Sequence, residues 1–364
     1  MGIGSSGSGV CVREITKDLA RRQIFCRVIK PSVEKELCVE PVYHGLPPVF
    51  FPRNSRPLFH DLTRSEIHTS VERYSAVFAH VRNSFTGSIL GNFHHACPFL
   101  APYFLKHGIP YVVTIHGPEL WTLQPDRPSA FQSLLLESLR GARFILVPLP
   151  HVRSAIKRLL PGSEVIVNPL GVNIDTFSFR HHRAFTSLLH AILIVGALEE
   201  RKNISLAIQA LSLLPESTRP LLLIAGRGAL KRSLAAEAMS ARVKVIFLGK
   251  KTPHELANLY SSVKLVITSS LAESFGLTIL EALACGTFVV GTPVGVLGFA
   301  DDLLPGDSVL VTEDFSAQAL ARQVQKGLSK TSQRKSRATF VQERFSWSSY
   351  VDRLLPLFEE CLRS

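Results

Sequence analysis

The residues best placed to do chemistry lie in one stretch, Ser269-Ser-Leu-Ala-Glu-Ser-Phe-Gly-Leu-Thr-Ile-Leu-Glu-Ala-Leu-Ala-Cys-Gly286. It sets two carboxylates, Glu273 and Glu281, eight positions apart on either side of Phe275-Gly276-Leu277-Thr278. The apolar run Leu265-Val-Ile-Thr268 before it reads as a strand and Leu277–Ala284 as a helix, so Glu273 falls in a loop and Gly276 at the turn. Backbone N–H groups from Phe275 to Thr278 then point out of a helix N-terminus, which favours phosphate. Carboxylates beside a phosphate site imply hydroxyl recognition. Glu281 would accept from a ribose, and Glu273 from a sugar beyond a diphosphate. Taken singly, each is equally an acid favoured by the helix dipole.

His116 follows the apolar segment Tyr111–Ile115 and precedes Gly117, so it ends a strand, where doubly wound sheets place ligand sites. Its imidazole would bond a sugar hydroxyl or the reacting region. His94 and His95 end the neighbouring segment; with no spaced third ligand they read as acceptor-side groups and not as a metal site. Gly4-Ser-Ser-Gly-Ser-Gly9 opens a helix over Val12–Arg22. Gly7 and Gly9 would present N–H groups to a phosphate or acceptor, although such runs are more often flexible linker.

The elements that must position these groups are clearest after residue 190. Ile192–Val195, Leu221–Ile224, Val245–Leu248, Leu265–Thr268 and Phe288–Val290 are continuous apolar runs. Helical segments at Ile204–Leu214, Leu230–Ala241, Pro253–Ser262, Leu277–Ala284 and Ala317–Leu328 separate or follow them. That alternation predicts a parallel sheet covered on both faces. The first half predicts strands at Ala76–Val81, Ser88–Leu90, Tyr111–Ile115, Phe144–Val147 and Val165–Val167, with helices at Val12–Arg22, Leu62–Arg73, Phe99–His107 and Ala130–Arg140. Almost nothing precedes the glycine-rich start, so the first strand is either missing or reduced to Met1–Ile3. Expected domains are 1–185, 186–340 and a closing helix over 341–364.

The chain has 364 residues, 46% hydrophobic and 19% charged, enough for two cores of ordinary size and incompatible with wholesale disorder. Lys plus Arg is 41 against 29 Asp plus Glu, a net charge of +12 with 13 histidines beside it. That excess favours phosphate-bearing partners. The basic residues are scattered and no recognition helix or stacking-aromatic module accompanies them, which argues against nucleic acid. The six cysteines show no CxxC pair or metal-type spacing, as expected in a reducing compartment without structural zinc. No apolar stretch reaches the roughly 18–20 residues of a spanning helix, and the start lacks signal-peptide features. The expectation is therefore a cytoplasmic protein. Ala155–Leu160 and Phe99–His107 read first as ordinary amphipathic helices, and second as faces for peripheral contact with an anionic membrane at its inner side.

The Glu273-x7-Glu281 string with Phe275-Gly-Leu and Ala282-Leu-Ala-Cys-Gly286 resembles the donor-site motif of retaining glycosyltransferase family four, the group 1 glycosyltransferases. Other segments agree over nearly the whole chain. Val195-Gly-Ala-Leu-Glu-Glu-Arg-Lys-Asn203 resembles the loop opening the family's second domain, and Ala225-Gly-Arg-Gly228 its next glycine turn, which makes Gly226 a donor-side candidate. Val245–Gly249 resembles the strand leading to the base pocket, Thr114–Leu120 the histidine loop, Leu170–Phe177 the interdomain turn, and Phe345-Ser-Trp347 the start of the last helix.

The resemblance implies an α/β protein of the GT-B type: two facing Rossmann-like domains with a cleft between them and a C-terminal helix crossing back. It implies transfer of a hexose-type sugar from a UDP- or GDP-linked donor to a hydroxyl of a glycan or lipid-linked acceptor. Anomeric configuration would be retained, with no metal and no cofactor beyond the nucleotide-sugar co-substrate. Lys202 matches the family's diphosphate lysine, but the arginine of its usual Gly-Arg-Leu triplet is Ala197 here, and Arg201 is the substitute at hand. That departure keeps open a catalytically weak nucleotide-sugar binder or assembly subunit. A sugar-nucleotide epimerase on the same fold is the other alternative.

Overall fold

The computed structural model describes residues 7–24, 26, 28–29, 39–40, 49–50, 62–82, 87–94, 98–117, 119–123, 129–179, 188, 190–330 and 333–363. The chain forms two compact units, Met1–Leu170 with Trp347–Ser364, and Gly171–Ser346. Residues 180–187, where the expected boundary at 185 falls, lie outside the described residues. The described segment before them belongs to the second unit: Val172 N–H donates to the Phe345 carbonyl at 2.6 Å, and the Phe177 ring meets that of Tyr260 edge-on.

In the first unit, strands β1 (Val28–Ile29), β2 (Val39–Glu40) and β3 (Val49–Phe50) form a small sheet in the order β1-β3-β2. Strands β4 (Gly91–Phe93), β5 (Tyr111–Thr114), β6 (Phe144–Val147) and β7 (Val165–Val167) form a parallel sheet in chain order. Aromatic side chains supply much of its core: Phe78 packs on Phe104 at 4.7 Å between centroids, and Phe93 on Tyr111 at 4.8 Å.

Two expectations for this half are corrected. Ala76–Val81 is not a strand but the end of the helix Arg64–Arg82, whose buried Ile67, Ser70, Tyr74, Val77 and Phe78 follow a helical period. The strand expected at Ser88–Leu90 lies at Gly91–Phe93. A Cβ on Gly91 would come within 2.6 Å of the Phe104 ring, so the glycine is there for close packing and does not mark a turn. The helices Glu119–Thr122 and Arg334–Arg344 were not expected.

The end of the chain also differs from a single segment 341–364. Arg334–Arg344 belongs to the second unit, and after Phe345-Ser346 the helix Trp347–Arg363 joins the first. There Arg22 bridges Asp18 at 2.6 Å and Asp352 at 2.7 Å, and Arg353 Nε donates to Asn168 Oδ1 at 2.7 Å.

The second unit is a six-stranded parallel sheet built from β8 (Ile192–Val195), β9 (Leu222–Ala225), β10 (Val245–Gly249), β11 (Leu265–Thr268), β12 (Phe288–Gly291) and β13 (Val309–Val311). Their order is β10-β9-β8-β11-β12-β13, so the chain reverses direction across the sheet between β8 and β11. Ile192, Ile194, Leu222, Ile224, Leu265, Ile267 and Val290 pack against Ile208, Leu211, Leu320 and Val324 of the covering helices. That burial makes the sheet rigid and holds its carboxyl edge as the platform for loops. Among the described residues no helix is long and apolar enough to cross a membrane.

Candidate functional site

Loops at the carboxyl edge of the second unit's sheet bring together most of the donor-side candidates. The one after β8 carries Arg201 and Lys202 in a short turn, Glu200–Lys202, closed by Asn203 in the left-handed region. The one after β11 carries Ser269 to Gly276. Leu271 N–H donates to the Arg201 carbonyl at 2.9 Å, and Ser269 Oγ to the Lys202 carbonyl at 3.1 Å, so the two loops are fixed to each other.

On this frame Lys202 Nζ donates to Glu273 Oε1, which also accepts from Ser270 Oγ at 2.7 Å. Arg201 Nη1 lies 3.5 Å from Glu273 Oε2 and donates to the Ala272 carbonyl at 3.1 Å, while Nη2 donates to Glu199 at 2.8 Å. The Lys202 and Glu273 side chains are only 15% and 11% exposed. Their attraction is therefore screened less than that of a surface pair, and removing either partner strands a half-desolvated charge. Arg201, 40% exposed, is the outer member.

Gly276 precedes the helix Leu277–Ala284 with φ +94°, a backbone state that an L side chain rarely adopts. It turns the chain into the first turn of the helix, where Ile279 N–H donates to the Gly276 carbonyl at 2.9 Å and the N–H groups of Leu277 and Thr278 have no hydrogen-bond partner among the described residues. Phe275 is buried, and its carbonyl accepts from Val296 N–H at 2.8 Å. Leu277 and Thr278 are half-buried in the first turn. Glu281 stands one turn further on, half-buried, with Tyr260 Oη donating to its Oε2 at 3.1 Å. Burial pushes the Glu281 carboxyl up to about 7, with the Tyr260 hydrogen bond working against that rise. Gly226 follows β9. A Cβ there would fall 1.7 Å from the Gly196 carbonyl oxygen, so the turns after β8 and β9 touch backbone to backbone. Leu198 N–H donates to the Arg227 carbonyl at 2.9 Å in the same contact.

In the first unit, His116 is buried just beyond β5. The Glu119 carboxylate accepts from the backbone N–H groups of His116 and Gly117 at 3.0 and 2.9 Å. His94, at the end of β4, places Nδ1 3.0 Å from His116 Nε2 with the rings stacked at 25°. One nitrogen of that contact donates and the other accepts. Burial, with His116 beside it, holds His94 well below the usual imidazole range, so it is neutral at pH 7. His95 lies outside the described residues. Gly7 and Gly9 are not in a loop: both belong to the first turn of the helix Gly7–Arg21. Residues 1–6, including the rest of the glycine-serine run, lie outside the described residues. The donor-side candidates sit within the second unit and His116, His94, Gly7 and Gly9 within the first.

The sequence reading missed Tyr260, Ser270 and the His94–His116 contact. Tyr260 carries no local signal, since it lies 21 positions from Glu281 on another helix. Ser270 is adjacent to the motif and could have been found as the nearest hydroxyl to Glu273. Among the described residues no group of three or more histidine, cysteine, aspartate or glutamate side chains is arranged to hold a metal ion.

Solved structures that share this fold are glycosyltransferases of the GT-B type, and the fold is of that class. Sucrose-phosphate synthase of Thermosynechococcus elongatus superposes with a TM-score of 0.77 at 20% identity, over 98% of this chain and 93% of that one. Anabaena HepE in complex with UDP-glucose superposes with a TM-score of 0.71 at 16% identity, over 99% and 98%. The family description "Glycosyl transferases group 1" matches residues 187–344 and "Glycosyltransferase Family 4" matches residues 5–176. The chain belongs to the group 1, family 4 glycosyltransferases and is a glycosyltransferase. Among curated relatives, O-antigen chain mannosyltransferase B of Escherichia coli is 28% identical over 287 residues, covering 73% of this chain and 74% of the relative.

Proposed function

We propose that the protein moves a hexose-type sugar from a UDP- or GDP-linked donor to a hydroxyl of a glycan or lipid-linked acceptor, with retention at the anomeric carbon. The observation that carries this reading is the Lys202–Glu273 pair, fixed by Ser270 a few residues before the helix start at Gly276. Glu281 accepts from the ribose, the N–H groups at Gly276 to Thr278 and Lys202 take the diphosphate, and Glu273 accepts from the donor sugar. During transfer the bond from the anomeric carbon to the phosphate oxygen breaks and a bond to the acceptor oxygen forms. The acceptor proton leaves with the diphosphate. Charge developing on the leaving group is met by Lys202 and the helix dipole, and the reaction needs no metal ion. In the first unit His116, its position set by Glu119 and His94, is placed to bond a sugar hydroxyl. The UDP-glucose held by Anabaena HepE is in keeping with a UDP-linked donor, and the mannosyltransferase name of the E. coli relative with a hexose.

Ala197 leaves one cation fewer at the diphosphate. Arg227, exposed on the turn packed against residues 196–198, offers a replacement beside Arg201. Incubation with a panel of UDP- and GDP-sugars is expected to release one nucleotide, at the same rate with and without EDTA. A panel in which every nucleotide-sugar binds and none turns over would sink the transferase reading in favour of a binder.

Part of the positive charge lies on the helix Pro150–Leu159, which exposes Arg153, Lys157 and Arg158 while burying Val152 and Ile156. We assign this face to peripheral contact with anionic lipid. The protein is expected to sediment with phosphatidylglycerol vesicles at low salt and to stay in solution with phosphatidylcholine vesicles. Equal sedimentation with both would remove the assignment.

A further inference from the structure

We propose that Tyr260 is a positioning residue of the donor site: its hydroxyl engages Oε2 of Glu281 and leaves Oε1 to accept from the ribose diol of the nucleotide. This rests on the donor-site reading above and deepens it. Tyr260 is fully buried at the end of the helix Pro253–Ser262. The Phe177 ring packs against it at 6.1 Å, and its carbonyl accepts from Thr287 Oγ1. Ring and backbone are therefore both held, and the hydroxyl reaches Glu281 at 3.1 Å from a fixed direction. Oε1 of Glu281 has no hydrogen-bond partner among the described residues, although the side chain is half-buried. A carboxylate with one oxygen committed and the other waiting suits a pair of vicinal hydroxyls, because its orientation is settled before the nucleotide arrives.

A second consequence is electrostatic. A hydrogen bond donated to a carboxylate stabilises the ionised form, and only that form accepts from both ribose hydroxyls. Of the other titratable groups near this helix, Cys285 caps its end and Arg334 and Arg337 lie on the helix packed against it, while His254 and Glu255 on the helix of Tyr260 and Lys335, Glu343 and Arg344 on that of Arg337 are exposed. Arg334 is committed to the carbonyls of Ser261 and Val263, and Arg337 to those of Gly286 and Asp307. Tyr260 is thus the group positioned to tune Glu281. Burial pushes the Glu281 carboxyl up to about 7 even with this hydrogen bond in place.

The test is calorimetric binding of UDP and of GDP between about pH 5.5 and pH 9 for wild type, Tyr260→Phe and Glu281→Gln, whose midpoints report the ionisation linked to binding. Wild-type affinity for the nucleotide that binds is expected to rise through a midpoint near the carboxyl value of about 7. In Tyr260→Phe the midpoint moves up by about one pH unit, so affinity at pH 7 falls about fivefold and the difference closes near pH 9. Substituting 3-fluorotyrosine at position 260, which keeps the shape and donates more strongly, shifts the midpoint down. It stands in as the probe if the phenylalanine variant does not fold. An unchanged midpoint in the folded variants overturns the role of Tyr260. Wild-type affinity in Glu281→Gln overturns the donor-site reading itself.

Discussion

Glu273→Gln is expected to lower the rate of sugar transfer about 10³-fold, close to 4 kcal/mol of lost transition-state stabilisation, while nucleotide affinity stays within about threefold of wild type. The substitution keeps the length of the side chain and an oxygen to accept from Ser270, so the loop retains its shape. It removes the negative charge facing Lys202 and Arg201. Lys202 then meets no carboxylate and is at least as free to bind diphosphate, which is why affinity does not fall. On the proposed function, what disappears is the charged acceptor beside the donor sugar, which acts most strongly as positive charge develops at the anomeric carbon. Lys202→Ala separates the two roles, since it removes the diphosphate cation and is expected to weaken nucleotide binding and turnover together. Single-turnover release of nucleotide, read beside equilibrium binding, distinguishes these patterns. A Glu273→Gln enzyme that transfers at the wild-type rate would remove Glu273 from the reacting centre.

Gly226→Ala is expected to be among the most destabilising single substitutions in the second unit. The new methyl would sit 1.7 Å from the Gly196 carbonyl oxygen and 2.8 Å from its carbon, and no rotamer change relieves a clash with backbone. The ends of β8 and β9 must separate, at a cost of about 3–5 kcal/mol. At roughly 2–4 °C per kcal/mol for a unit of this size, the melting temperature falls by about 10 °C. Gly162→Ala, where nothing lies within 4 Å of the added carbon, is the control and stays within about 0.5 kcal/mol of wild type. Thermal unfolding followed by circular dichroism measures both. Because the Lys202 side chain lies over Gly196, the same substitution also displaces Lys202, the lysine proposed to bind diphosphate. Transfer then drops even below the melting temperature. A Gly226→Ala protein that melts with wild type would show that the two turns are not in contact.

The second unit was readable because its signals are local. Leu265–Thr268, Pro253–Ser262 and Leu277–Ala284 fall where the apolar runs and helix starts placed them. A buried parallel strand is apolar throughout, and the capping box at Thr252 and the glycine at 276 mark the helix starts between strands. The helix through Ala76–Val81 was misread because six mostly apolar residues fit a strand as well as a helix; Ile67 and Tyr74, further back, decide the period. Contacts between distant residues were not readable at all. His94 reaches His116 because β4 and β5 pair with Phe93 opposite Val113, a register that neither segment reveals alone. Lys202 and Glu273 were each identified as donor-side groups, but their pairing across 71 positions depends on β8 and β11 being neighbours.

The second unit leaves and re-enters the first through neighbouring points of its own backbone. Val172 N–H donates to the Phe345 carbonyl at 2.6 Å, and Val172 forms a β-bridge with Ser346. In chain terms, Gly171–Ser346 is an insertion with its ends tied together inside a host that resumes at Trp347. A segment with adjoining ends can be exchanged without stretching its host. The second unit is therefore a cassette, replaceable between relatives by two cuts, at 170/171 and 346/347. On the function proposed above, donor choice and acceptor choice can then change independently in evolution or in the laboratory.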